Sequence, residues 1–280
     1  MSNPKKHHFI PQFILKKFLK GGLIFVYNER TGEISSSPHT KDIFYQNHLY
    51  SIKLEDGSRD HQIETDFSKL ESDWAATFKD IEILLNKGSQ IPLDYLKFIQ
   101  SYMHLHMRRN PIFKSQNISQ LDIQNFCNSR IDEHEAHKQN STSLSENIKL
   151  REKISDPEFI KTFTHNAKAK SSLVLKENHT MRAIENRGLL VAFINVEHKN
   201  FIIGDYPFTR LGGNQIDSSG GVLWYILSPK LAVAPYGEKG RIEIVSLTTN
   251  LIRHINKHTF TKSSTVASNS EALLKSLARL

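Results

Sequence analysis

One apolar stripe in the first half of the chain constrains the fold more than any other feature. From Ile63 to Leu85, large apolar side chains recur at intervals of three and four residues. This spacing places them on one face of an α-helix of about six turns. We therefore predict a long helix that buries this face, with Trp74 and Phe78 as fully buried aromatic residues. The stripe consists of Ile63, Phe67, Leu70, Trp74, Phe78, Ile81 and Leu85.

A second helix is predicted after Pro92, and apolar residues line two of its faces. Because a helix that is apolar on two sides is usually buried, we expect it to be central. It should stop at Asn110, since Pro111 disfavours helical dihedral angles in the residue before it.

Polar helices and a mobile loop are predicted after this point. Helical patterns occur near 119–136, 156–165 and 170–187, where the chain is rich in Asn, Ser and Lys. Because the polar segment at about 139–147 has no apolar periodicity, we expect it to be a mobile loop. The middle of the chain, about 61–187, is therefore predicted to be helical.

The period of the apolar residues changes after Gly188. Four or five β-prone runs separated by turn residues occupy about 188–247, and this spacing fits antiparallel strands. We predict a single α+β domain over residues 1–280, in which a central helical bundle packs on a mainly antiparallel sheet. The C-terminal strands build this sheet, and a predicted hairpin at about 23–37 is a candidate addition to it.

The charge balance favours an anionic partner. The 280 residues include 37 Lys and Arg against 29 Asp and Glu, which gives a formal net charge of +8 with the 14 His neutral. This excess suits an anionic partner but does not by itself identify one. The single cysteine, Cys127, excludes an intrachain disulfide and a multi-thiolate zinc site, and is typical of a reducing compartment. Since no apolar run approaches the roughly 20 residues of a membrane helix, we expect a cytoplasmic protein with no membrane partner.

Side chains from three separated segments are candidate catalytic residues. His7 and His8 end an extended segment before Pro11, and because neighbours in such a segment point to opposite sides, at most one should face a given pocket. Arg109 ends the central helix, where a guanidinium matches phosphate oxygens but also suits the helix dipole. Asp205 follows a predicted strand, where it serves either in catalysis or as a loop cap.

Three further residues are candidates for substrate binding. His106 and Arg108 lie on the same predicted helix as Arg109, with His106 about one turn before it. Lys230 lies between two of the predicted C-terminal strands. All three are assigned to binding an anionic substrate.

Other titratable pairs carry less weight. Glu64 and Glu71 are roughly 10 Å apart along the long helix, too distant for one metal ion. They are expected to form a solvated flank, although Glu64 could border a cleft. His254 and His258 have i, i+4 spacing but lack the Glu of a metalloprotease helix, so no metal site is assigned.

Several common catalytic motifs are missing from the sequence. It contains no GxxxxGK[ST], no GxGxxG after a strand and no GxSxG. Their absence argues against nucleotide-driven motors, dinucleotide-dependent oxidoreductases and ordinary serine hydrolases.

Over roughly residues 5–265, the chain resembles the bacterial proteins grouped as domain of unknown function 4238. The resemblance rests on KKHHFIPQFILKKF, IETDFSKLES, the RRNP helix end, FIIGDYPF followed by WYILSPKLAVAPY, and NLIRHIN. The most specific of these motifs is His-His-x-x-Pro, followed by the succession of strand, Asp-x-Pro, strand and Ser-Pro.

The resemblance adds weight to the candidate site but supplies no reaction, because the family has no established activity. Gly204 replaces a small polar residue before the aspartate, and His106 replaces a glutamine one turn before the arginine. The residues that the resemblance implies are His7, His8, Pro11, Leu15 and Phe18 in the opening motif, Arg109 at the helix end, and Asp205 and Pro207 in the acidic turn.

The leading hypothesis is a nuclease-like phosphodiesterase, an RNA-directed effector in bacterial defence or toxicity. His7 or His8 would act as general acid or base and Arg109 would stabilise charge on the phosphoryl oxygens. Asp205 would orient the imidazole or hold a divalent cation such as Mg²⁺. Nucleic acid is the expected partner, and no cofactor or oligomeric state is assigned.

The alternative hypothesis is a non-enzymatic sensor or interaction protein in which the His, Arg and Asp group is structural. Exposure of Arg109 and Asp205 in a cleft would favour the enzyme. Burial of the two as a mutual pair would favour the structural alternative.

Overall fold

The computed structural model describes residues 5–112, 119–137, 141–174, 179–206, 208–212 and 221–279. Over these residues the chain forms nine α-helices, one 3₁₀ turn (Thr40–Asp42) and thirteen β-strands, which together make an α+β fold. The helices are α1 (Gln12–Lys17), α2 (Gln62–Asn86), α3 (Tyr95–Arg109), α4 (Gln120–His137), α5 (Ser141–Ser155), α6 (Pro157–Ser171), α7 (His179–Glu185), α8 (Thr249–Lys262) and α9 (Glu271–Ala278). The strands are β1 (Lys6–His8), β2 (Ile24–Asn28), β3 (Glu33–Ser37), β4 (Tyr45–Asn47), β5 (Ile52–Lys53), β6 (Arg59–Asp60), β7 (Leu189–Phe193), β8 (Ile203–Gly204), β9 (Phe208–Leu211), β10 (Val222–Ser228), β11 (Leu231–Pro235), β12 (Ile242–Ser246) and β13 (Thr265–Ser268).

Helix α2 is the long helix that the apolar stripe predicts. Trp74 and Phe78 are both buried, and their rings meet the Tyr102 ring of α3 edge-on at centroid distances of 5.0 and 4.8 Å. Helix α3 is buried over most of its length, as expected for a helix with two apolar faces. It ends at Arg109 because Asn110, which precedes a proline, takes an extended conformation.

Two main sheets replace the single sheet that the sequence predicts. The C-terminal strands form a five-stranded sheet in the order β12-β7-β11-β10-β9, whereas the N-terminal hairpin belongs to a second sheet in the order β3-β2-β13-β8. Most pairs are antiparallel, but β12 runs parallel to β7, so the larger sheet is mixed. No local pattern predicts β13, because its four residues find their partners in β2 at the other end of the chain.

The polar middle of the chain is more helical than predicted. The prediction of a loop at about 139–147 is wrong from Ser141 onward, because α5 begins there. Residues 138–140 lie outside the described part of the chain. The segment is helical despite its polar composition because α4, α5 and α6 pack together. Their shared core contains Ile131, Ile154 and Ile160. Conversely, the helix expected over 170–187 is reduced to His179–Glu185 among the described residues.

The N-terminal strands lie beside the start of α2. Strand β1 pairs antiparallel with β4, and the short β5–β6 hairpin leads directly into the helix. The main core joins residues of α1, α2 and α3 to the five-stranded sheet, which fixes the position of these elements. Among the described residues, none of the helices is both long and apolar enough to cross a membrane.

Candidate functional site

Strand β1 directs its two histidines to opposite sides, as the sequence predicts. The His8 imidazole faces the 3₁₀ turn, where its Nε2 lies 3.2 Å from the Lys41 carbonyl oxygen. Burial lowers the pKa of His8. The His7 imidazole is fully buried on the other side, and its Nδ1 accepts the Tyr50 backbone N–H at 2.9 Å. Of the two imidazoles, His7 therefore faces the start of α2.

Arg109 is fully buried at the end of α3, where it meets three acceptors. Its Nη1 donates to Glu71 Oε1 at 2.8 Å, its Nη2 donates to the His8 carbonyl oxygen at 2.5 Å, and its Nε lies 3.5 Å from the Tyr50 hydroxyl oxygen. The guanidinium carbon lies 4.4 Å from the centre of the Phe67 ring. Burial opposes the charge, but Glu71 and Tyr50 hold the pKa of Arg109 above its usual value. We call these five residues the arginine cage.

The cage departs from two expectations. Glu71 does not belong to a solvated flank, because its side chain is only 22% exposed and it binds Arg109. His8 enters the cage through its backbone carbonyl, whereas its imidazole lies near Gln12 and the 3₁₀ turn. The structure therefore brings His8 and Arg109 together, but through the backbone rather than through the imidazole.

Asp205 follows the end of β8, as predicted, and its carboxylate faces β13. Oδ1 and Oδ2 accept the backbone N–H groups of Ser264 and Thr265, both at 3.1 Å. Burial raises the pKa of the Asp205 carboxyl, and these hydrogen bonds oppose the shift. The Asn110 side chain donates to the Asp205 carbonyl oxygen at 2.8 Å. The Asp205 backbone thus reaches the end of α3, while its carboxylate caps the start of β13; Pro207 lies outside the described residues.

Each of the three residues predicted to bind substrate has partners inside the protein. His106 Nδ1 lies 2.6 Å from the Tyr102 hydroxyl oxygen, and burial lowers the pKa of His106 to about 3. Arg108 Nε donates to the Ser171 carbonyl oxygen at 2.8 Å. The Lys230 ammonium donates to three loop carbonyls at 2.5–2.8 Å, those of Val196, Glu197 and Lys199. The structure does not gather these residues into one surface.

Three imidazoles and one carboxyl group meet at the start of α2. The ring centres of His7, His48 and His61 are 5.8–6.3 Å apart, and Glu64 Oε2 lies 3.9 Å from His7 Nδ1. Because the lone pair of His7 Nδ1 already accepts the Tyr50 N–H, this contact is not an ion pair. We call His7, His48, His61 and Glu64 the histidine cluster. Within the described part of the chain, no group of three or more His, Cys, Asp or Glu side chains is arranged to hold a metal ion.

His48 and His61 are absent from the predicted site, because only tertiary structure brings them together. His48 adopts a left-handed conformation at φ +57°, which is uncommon for a residue other than glycine, and its N–H donates to the Lys5 carbonyl oxygen at 2.8 Å. His61 immediately precedes α2, and its Nδ1 lies 3.3 Å from Ser51 Oγ. The only sequence feature that points to this cluster is the position of Glu64, three residues after His61 at the predicted start of a helix.

Burial shifts the pKa values of two cluster residues in opposite directions, that of Glu64 upward and that of His48 downward. Burial raises the pKa of Glu64 to about 7, although the positive charge of Arg109 opposes this shift. Burial, followed by the charge of Arg59, lowers the pKa of His48. Glu64 Oε2 and His48 Nδ1 are buried atoms without a hydrogen-bond partner among the described residues. Near pH 7 the cluster therefore combines a neutral imidazole with a carboxyl group that exchanges its proton.

A family model matches residues 6–272 of the chain, a span that includes the arginine cage and the histidine cluster. The matching family is described as protein of unknown function, DUF4238. The chain belongs to this family. The match confirms the resemblance seen in the sequence, whereas comparisons with curated proteins and with solved structures gave no match. For this DUF4238 protein, the chemistry is therefore inferred from the geometry of the site.

Proposed function

We propose that this DUF4238 protein is a nuclease-like phosphodiesterase that cleaves RNA at the histidine cluster. One observation carries the proposal: the Glu64 carboxyl group, whose pKa burial raises to about 7, shares the cluster with two partly exposed imidazoles, those of His48 and His61. General acid–base catalysis is most efficient when the pKa values of the acid and base lie near the working pH. RNA suits such a site because its own 2′-hydroxyl serves as the nucleophile.

Two proton transfers complete the proposed reaction. Neutral His48 accepts the proton of the 2′-hydroxyl as the 2′-oxygen bonds to phosphorus. Protonated Glu64 donates its proton to the 5′-oxygen as the bond between phosphorus and that oxygen breaks. The products are a 2′,3′-cyclic phosphate and a 5′-hydroxyl, and solvent then restores the two protonation states.

The remaining cluster residues support this chemistry. His61 is partly exposed and would donate an N–H to a phosphoryl oxygen as negative charge develops there. His7 is fully buried, so it acts as a positioning residue behind Glu64 rather than as a contact to substrate.

The arginine cage serves the proposed reaction indirectly. Arg109 is fully buried, but it binds the backbone of β1 next to His7, and its charge acts on the titration of Glu64. Asp205 has its carboxylate on β13, so it stabilises the scaffold in this proposal. RNA cleavage by a basic protein would fit an effector in bacterial defence or toxicity.

The proposal is tested by incubating the purified protein with single-stranded RNA and with DNA of the same sequence at pH 7, with EDTA or with Mg²⁺. RNA should be cut to fragments with 2′,3′-cyclic phosphate ends, DNA should remain intact, and EDTA should have no effect. His48→Ala should lower the cleavage rate by at least about 100-fold, because it removes the general base.

His254→Ala is the matched control, since His254 is exposed on α8, away from the cluster. This variant should cleave RNA like wild type, and circular dichroism should show both variants folded. Intact RNA with wild-type protein, equal cleavage of DNA, or a requirement for Mg²⁺ would contradict the mechanism.

A second candidate function is a non-enzymatic interaction protein. It is supported by the internal pairing of Arg109 with Glu71 and of Asp205 with the β13 backbone, which gives both charges structural roles. Binding of RNA without cleavage in the same assay would favour this alternative.

A further inference from the structure

Two cations, Lys5 and Arg59, lie two residues before histidines of the histidine cluster. Lys5 lies just before β1 and precedes His7, whereas Arg59 lies on β6 and precedes His61, the residue that follows this strand. Side chains two apart along an extended segment share a face, and the charges of both cations act on His48, so both cations lie on the side of the cluster. Lys6 shows the alternation, because its ammonium pairs with Asp42 on the opposite side at 2.6 Å.

A third cation lies across the β5–β6 hairpin. Lys53 is the direct partner of Arg59 in this antiparallel pair, and such partners share one face. The Lys53 backbone is held by Asn166 of α6, whose side chain accepts the Lys53 N–H and donates to its carbonyl oxygen, both at 2.9 Å. The hairpin that presents the two cations is therefore fixed against α6.

These three cations are free to meet a ligand. Lys5 and Lys53 are exposed and Arg59 is partly exposed. Among the described residues, none of the three has an acidic partner within 4 Å, unlike Lys17, which pairs with Glu82 at 2.8 Å. The positive charges of Arg59 and Lys5 also act on His48, which places them near the proposed base.

We propose that Lys5, Lys53 and Arg59, which we call the cationic strip, bind the phosphates that flank the cleaved bond of a single-stranded RNA. This inference rests on the proposed function for the position of the cleaved bond. Three separate cations beside one acid–base cluster match a chain of phosphates better than a single phosphate. A single strand also lets the 2′-hydroxyl rotate into line with the bond that breaks, a rotation that an A-form duplex restrains. The substrate class is therefore an oligonucleotide rather than a mononucleotide or a duplex.

Fluorescence polarisation with 5′-fluorescein 2′-O-methyl RNA tests this binding without cleavage, because the probe lacks the nucleophile. Affinity should rise from a dinucleotide to a hexanucleotide and then level off. The variant Lys5→Ala/Lys53→Ala/Arg59→Ala should weaken binding of a 12-mer at least about 10-fold. The slope of log affinity against log salt concentration should fall by about 2, since three phosphate contacts are lost.

The control variant Lys87→Ala/Arg253→Ala/Lys257→Ala removes the same charge from exposed positions at the far end of α2 and on α8. It should bind like wild type. Equal weakening in both variants, equal affinity for the dinucleotide and the 12-mer, or equal affinity for duplex RNA would overturn the cationic strip. Intact binding with no cleavage of unmodified RNA would instead count against the proposed function, so the two failures are distinguishable.

Discussion

The arginine cage and the histidine cluster both contact Tyr50, but they differ in whether their polar atoms have hydrogen-bond partners. Tyr50 donates its hydroxyl to the Arg109 carbonyl oxygen at 2.7 Å, while its ring stacks on the His7 ring at a centroid distance of 5.6 Å. On the cage side, the guanidinium is fully buried among protein acceptors. On the cluster side, Glu64 Oε2 and His48 Nδ1 have no partner among the described residues.

This difference indicates that the arginine cage stabilises the fold, whereas the histidine cluster is suited to chemistry. A buried charge that is bound by protein groups is stable only as long as all its partners remain, so it fixes the fold. Polar atoms without protein partners in a partly exposed cluster can instead bind substrate and exchange protons. The two regions therefore differ in whether their buried polar atoms have protein partners.

The largest expected effect is on the cage side. Arg109→Ala should destabilise the protein by about 3–5 kcal/mol, because it leaves the half-buried Glu71 carboxylate and the His8 carbonyl oxygen without their donor. Urea denaturation measures this loss. The control Arg130→Ala removes an exposed ion pair with Glu133 and should cost no more than about 0.5 kcal/mol. An Arg109→Ala protein that has wild-type stability but no longer cleaves RNA would show that the guanidinium takes part in catalysis rather than in stabilising the fold.

The next effect depends on pH and concerns Glu64. Its pKa is raised from 4.5 to about 7 by burial, so between these values the folded state binds more protons than the unfolded state. Wild-type stability should therefore fall as pH rises from about 4.5 through 7, by roughly 2–3 kcal/mol in total. Glu64→Gln cannot ionise, so its stability relative to wild type should rise by this amount between pH 4 and pH 8. Denaturant melts across this range measure the effect, and parallel pH profiles for the two proteins would contradict a buried Glu64.

Local patterns in the sequence predict the helices that carry both regions. The apolar stripe from Ile63 gives α2, the proline after Asn110 gives the end of α3, and the alternation of an extended segment sends His7 and His8 to opposite sides. Each of these inferences depends only on neighbours within a few residues, which is why the sequence is sufficient for them.

The partners within the two regions are not predictable from local pattern. Glu71 finds Arg109 across two helices, and His48 meets His61 only after the β4–β6 segment folds beside α2. The pairing of β13 with β2 joins opposite ends of the chain in the same way. For this reason local pattern places Glu71 in solvent and identifies neither of these histidines.

Asp205→Ala should produce a smaller loss of about 1–2 kcal/mol, because the backbone N–H groups of Ser264 and Thr265 lose their acceptor but remain near solvent. If Asp205 only stabilises the fold, the folded variant should cleave RNA at a rate within about three-fold of that of wild type. Thermal melts and cleavage assays on the same preparation measure both quantities. Loss of cleavage without loss of stability would support the catalytic role that the sequence predicts for Asp205.

The smallest effect is expected at His8, where backbone and side chain belong to different interactions. Arg109 binds the His8 carbonyl oxygen, which any residue supplies, so His8→Gln should leave the cage intact. The amide of the new side chain can still donate toward the Lys41 carbonyl, and the cost should be at most about 1 kcal/mol at pH 8. RNA cleavage should stay within about two-fold of wild type, in contrast to His48→Ala.

The pH dependence of the His8→Gln variant sharpens this comparison. Burial lowers the pKa of His8 from 6.5, so below that pH the unfolded state binds more protons than the folded state, and wild-type stability falls as the solution becomes acidic. The variant lacks this titration, so its deficit relative to wild type should shrink or reverse at pH 5. Denaturant melts at pH 5 and pH 8 measure the change. A stability deficit of several kcal/mol at pH 8 would mean that the His8 imidazole itself stabilises the cage. A loss of cleavage at unchanged stability would instead show that this imidazole takes part in catalysis.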